Sequence, residues 1–150
     1  MSLWVLVLHG PPSADATEAA RIPRASEATT ITVNETVQSK LVSHHGTTAI
    51  NERGSGSGTF SCPLTVQISI AGDTEATISF TCSTRTGTIS GRGVTSYAAA
   101  GPVARFSGKL QNVHGTGRYE HASSAGLRIE GTLTRHSYAL SARVVGKMRV

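Results

Sequence analysis

A chain of 150 residues, 38% of them hydrophobic and 15% charged, holds enough apolar material for one core but no run long enough for a membrane-crossing helix. Scarce Lys and Glu, abundant Thr and Ser, and 16 glycines argue against a helical protein and favour strands joined by tight turns. The net charge of +5 is uneven: from Arg85 onward ten basic residues meet two acidic ones, Glu120 and Glu130, a surplus of +8 that leaves −3 for the rest and hints at an anionic partner.

Residues 1–28 read as a leader and linker. Leu3 to Leu8 form an apolar run, and Ala14-Asp15-Ala16 has the small-residue form of a cleavage site, as in an export signal lacking its front end. An Ala-, Pro- and Ser-rich linker follows, and a single β domain is expected over 29–150. Thr29–Val42 alternates, with Ile31, Val33, Val37 and Leu41 on one face. Glu35 shares that parity and is expected to point inward. A buried carboxylate needs a partner or a raised pKa, which makes Glu35 the candidate catalytic residue. Gly54–Gly58, "GSGSG", reads as a flexible turn.

The stretch "SCPLTVQISIAGDTEATISFTC", Ser61 to Cys82, alternates on both sides of a Gly-containing turn at Ala71-Gly72-Asp73. Cys62, Leu64, Val66, Ile68 and Ile70 share one face with Ala76, Ile78, Phe80 and Cys82. With a three-residue loop, Ile70 stands opposite Thr74, Val66 opposite Ile78, and Cys62 opposite Cys82. Directly opposed residues have Cα atoms about 4.5 or 5.5 Å apart, within disulfide range. A Cys62–Cys82 disulfide is therefore predicted, and with it an oxidising, extracytoplasmic setting.

Two further hairpins follow. Gly87–Tyr97 and Val103–Asn112 join around Ala98–Pro102, with Tyr97 opposite Ala104 and Gly93 opposite Gly108. Leu127–Thr134 and Ser137–Met148 join around Arg135-His136, with Leu133 opposite Tyr138. The whole is an all-β, antiparallel up-and-down meander, expected to close into a single seven- to eight-stranded barrel that hides its edges. Gly93, Gly108, Gly131 and Gly146 fall on the inward parity, as a coiled, closed sheet requires. On the outward parity this register sets Arg92 opposite Lys109 and Arg128 opposite Arg143, with Lys147 continuing the stripe. Like charges directly opposed cost stability. The stripe therefore reads as a surface for an anionic polymer, or as a contact with acidic residues of another subunit in a homo-oligomer.

The segment Gly87–Leu133, with G-T-G-R-Y-x-x-A-x-x-A-G at Gly115–Gly126 and the return strand "EGTL", resembles the allene oxide cyclase and dirigent-protein barrel superfamily. The resemblance implies an eight-stranded antiparallel barrel around an apolar cavity, working without metal or organic cofactor. It also implies a glutamate on the first barrel strand projecting into that cavity, and Glu35 is the residue in place to correspond. No equivalent of the Asp and Arg residues thought to serve dirigents is found. The cavity is expected to be mainly aliphatic, with Thr95, Tyr97, Phe106 and Tyr138 adding shape and hydroxyls as ligand-binding residues. Such a cavity suits an apolar small molecule.

Other chemistry is poorly represented. His44, His45, His114, His121 and His136 are scattered without metal-ligand spacing, so no metal site is expected. No G-x-S-x-G setting for a nucleophile occurs. Three functions fit these residues: an exported barrel binding an apolar small molecule, a cofactor-independent isomerase or cyclase using Glu35, and a filled barrel that binds anionic surfaces.

Overall fold

A computed structural model describes residues 27–150; the leader and linker readings for residues 1–26 lie outside them. Ten strands follow one another: β1 (Thr30–His45), β2 (Ala49–Gly58), β3 (Cys62–Ala71), β4 (Glu75–Thr84), β5 (Gly87–Ala100), β6 (Val103–Leu110), β7 (His114–Gly115), β8 (Ser123–Ser124), β9 (Leu127–Thr134) and β10 (Leu140–Arg149). Eight of them form a closed antiparallel barrel in the order β1-β2-β3-β4-β5-β6-β9-β10, and β10 pairs with β1 to complete the ring. The two-residue strands β7 and β8 lie outside it, on β5 and β10 respectively. Together with a 3-10 turn at Gly117–Tyr119, they order the connection from β6 to β9, which carries the Gly115–Gly126 segment.

Closure follows from the alternation. β1 buries Val33, Glu35, Val37 and Ser39 while the residues between them face out, and β3 buries Cys62, Leu64, Val66 and Ile68. A sheet with one apolar face and two free edges is stabilised by curling until the edges meet. The seam runs from Thr30 opposite Arg149 to Ser39 opposite Leu140, and Thr29 and Val150 extend it with two reciprocal backbone hydrogen bonds.

Inward glycines admit large neighbours. Phe80 faces Gly91 across the ladder, and Phe106 faces Gly131; in each pair the ring lies where a glycine side chain would stand. "GSGSG" is not a flexible turn: Gly54 and Gly56 sit inside β2 on the inward parity. A Cβ at Gly54 would strike the Gln38 carbonyl and Ser39, and one at Gly56 would come within 2.5 Å of Glu35 Oε1. The absent side chains make room for the polar groups of β1.

All three expected hairpin registers are off by two residues. Between β3 and β4 the loop is Gly72-Asp73-Thr74, with Gly72 at φ 63°, so Val66 faces Phe80 and Ile68 faces Ile78. Between β5 and β6 the three alanines continue the strand to a two-residue turn, Gly101-Pro102, so Tyr97 faces Phe106 and Gly93 faces Leu110. Between β9 and β10 the loop extends through Tyr138, which takes a left-handed φ of 54°, so Leu133 faces Leu140. A slip of two keeps every side chain on its predicted face, so the inward and outward sets are unaffected.

The disulfide forms nonetheless. Cys82 stands opposite Leu64, and Cys62 reaches it diagonally across the hairpin with a Cα–Cα separation of 5.7 Å.

Candidate functional site

Inside the barrel lies a cavity of about 50 Å³. Its wall is aliphatic, with Val33, Leu64, Val66, Val144 and Met148 among its members, together with both disulfide cysteines and the rings of Phe60 and Phe80. One charged residue joins them, Glu35.

Local structure explains why Glu35 can sit there. Its carboxylate is buried, at 6% exposure, and Oε2 accepts the backbone N–H of Phe60 at 3.0 Å. Phe60 belongs to the turn between β2 and β3. That turn is tied to β1 by the Thr59 N–H donating to the Asn34 carbonyl and by the Asn34 N–H donating to Thr59 Oγ1. The Phe60 ring meets Tyr119, from the 3-10 turn, edge to face at 5.8 Å. Glu35 Oε1, by contrast, is buried and has no hydrogen-bond partner in the protein. A carboxylate only accepts hydrogen bonds when ionised, so this oxygen is an acceptor on an apolar wall.

A second buried carboxylate escapes the sequence reading. Glu52 of β2 is 2% exposed and stands opposite Leu41 and Val66. Ser39 Oγ donates to its Oε2, while Oε1 has no partner in the protein. Burial pushes its pKa from 4.5 up to about 7, and the Ser39 hydrogen bond opposes part of that rise. Glu52 does not line the cavity, although Val66, its partner across the ladder, does. The signal that would have revealed it is the parity Ile50, Glu52, Gly54, Gly56, which places it on the inward face once "GSGSG" is taken as strand.

The four residues expected to shape the cavity lie elsewhere. Thr95 is buried, and its hydroxyl donates to the Ala76 carbonyl at 2.9 Å. Phe106 packs over Gly131. Tyr97 and Tyr138 line a separate groove with Ile70, Leu133 and Arg135, where the Tyr138 ring stacks on His44 at 5.2 Å. The cavity aromatics are instead Phe60, from a turn, and Phe80, on the face that carries the cysteines.

Arg92, Lys109, Arg128, Arg143 and Lys147 are all exposed. The corrected register changes their neighbours. Lys109 stands opposite Val94 rather than Arg92, and Arg143 opposite Glu130 rather than Arg128. Lys109 and Arg128 are the pair that face each other. Arg143 also donates from Nε to Asn34 Oδ1 at 3.1 Å, across the seam. Among the described residues no three His, Cys, Asp or Glu side chains gather as a metal site, and no helix is long and apolar enough to cross a membrane. No protein-family model, curated protein or solved structure matches this chain.

Proposed function

We propose that this barrel binds a small apolar molecule carrying one hydrogen-bond donor, and that it works outside the cytoplasm. The observation that carries the reading is Glu35 Oε1, an unpartnered acceptor buried among aliphatic cavity walls. A ligand donor would satisfy it, and the ligand's apolar body would cover the surrounding Val, Leu and Met side chains. At about 10–15 Å³ per water-sized position, the cavity takes a short branched chain, whereas a benzene ring needs about 150 Å³. The disulfide supports an oxidising compartment.

The test is binding of isobutanol and its isostere isopentane followed by NMR, beside native mass spectrometry for retained ligand. The alcohol is expected to bind more tightly, and Val144→Phe, which intrudes on the cavity, to weaken both about tenfold or more while the barrel still folds. A wild-type protein that retains no ligand and binds neither probe sinks the reading.

A second reading keeps the cavity and adds chemistry: a cofactor-independent isomerase or cyclase in which Glu35 moves a proton. The allene oxide cyclase and dirigent resemblance supports it, and so does a carboxylate facing the bound molecule. The small cavity weighs against a long fatty-acyl substrate. Glu35→Gln is expected to preserve ligand binding within a few-fold and to remove turnover; unchanged turnover on a converted ligand, followed by chiral chromatography, dismisses that role.

A further inference from the structure

We propose that the outer face of β5, β6, β9 and β10 binds an anionic polysaccharide. The ladders set outward residues in continuous rows around this side of the barrel. One row runs Val94, Lys109, Arg128, Val145, Asn34; the next runs Ser96, Ser107, Glu130, Arg143, Thr36; a third runs Ala98, Arg105, Thr132, Ser141, Gln38. With Arg92, Lys147 and Arg149 beyond them, seven exposed basic side chains share this face with one acidic one, Glu130. Lys109 and Arg128 are directly opposed, an arrangement that costs stability unless an anion lies across it.

Shape and chemistry choose the polymer. The second and third rows border a groove of about 620 Å³ on the outer wall. Five hydroxyl side chains line it, Thr36, Ser96, Ser107, Thr132 and Ser141, over an apolar floor that includes Ala98 and Phe106, and Arg105 and Arg143 flank it. Hydroxyls and guanidinium groups match sugar hydroxyls and carboxylates. Glu130 in the same groove can accept from sugar hydroxyls, which the backbone of a DNA duplex does not offer. No aromatic side chain stands in the three rows to stack on bases, as single-stranded nucleic acid binding uses.

The experiment titrates the full chain with polygalacturonate, neutral dextran and a short DNA duplex at low and at physiological salt. Polygalacturonate is expected to bind, more weakly as salt rises, and dextran not to bind. Lys109→Gln/Arg128→Gln should weaken binding about tenfold and flatten the salt dependence. Lys40→Gln/Arg53→Gln removes the same charge from an opposed pair on β1 and β2, outside the three rows and the groove lining, and should change binding less than about twofold. Both doubles should melt no lower than the wild type, since each relieves a like-charge pair. Equal losses in the two doubles, DNA binding as tight as polygalacturonate binding, or no binding at low salt would each overturn the proposal.

Discussion

Glu52→Gln is expected to stabilise the barrel by up to about 3 kcal/mol above pH 8 and to change it little below pH 5. The folded state holds Glu52 at a pKa of about 7 against 4.5 for the free side chain, because burial disfavours its charge. The folded state therefore binds a proton that the unfolded chain has released between those values. The stability tied to protonated Glu52 is fully present below about pH 4.5 and is lost as pH rises through about 7. No Lys or Arg stands on the inward positions of β1 and β3, and His44, opposite the inward Ile50 beyond the β1 bulge, is exposed. Glutamine keeps the shape, can still accept from Ser39, and carries no charge to desolvate. Urea unfolding of both proteins across pH 5 to 9 checks this. A wild-type stability that stays flat through neutrality would show that Glu52 does not behave this way.

Removing the disulfide is the second large effect. Cys62→Ala/Cys82→Ala, or reduction of the wild type, is expected to lower unfolding stability by about 3 kcal/mol, because the crosslink closes a loop with a sequence separation of 20. Both cysteines also line the cavity, so the alanines widen it and add to the loss. The double variant should retain the barrel, since β3 and β4 are held by their own ladder and by their pairing with β2 and β5. Matching denaturation midpoints with and without reductant would refute the prediction, and the oxidised chain should weigh two hydrogens less than the reduced one.

Faces were legible in the sequence because burial imposes a period of two on every strand. Glu35, Cys62 and Cys82 point inward, and Lys109, Arg128 and Arg143 point outward, as their parity requires. Register was not legible, because a slip of two leaves the hydrophobic pattern intact and only the loop decides it. Ala98-Ala99-Ala100 looks like loop and pairs as strand; Tyr138 looks like strand and lies within a loop in a left-handed conformation. The charge pairs on the outer face depended on that register and changed with it. β2 was hidden for another reason: its inward residues after Ile50 are Glu52, Gly54 and Gly56, so its alternation is of size and not of hydrophobicity. The same glycines that disguise the strand accommodate Ser39 and Glu35, so the polar interior and the missing element share one cause.

The seam between β1 and β10 also has a consequence for biosynthesis. It joins the first described strand to the last, so the ring cannot shut until β10 has left the ribosome. Until then β1 and β9 each present a row of unpaired amides and carbonyls to any neighbouring chain. Contacts this remote in sequence form slowly. The nascent chain therefore passes through an open sheet whose two edges are adhesive, and β10 is the strand that removes both.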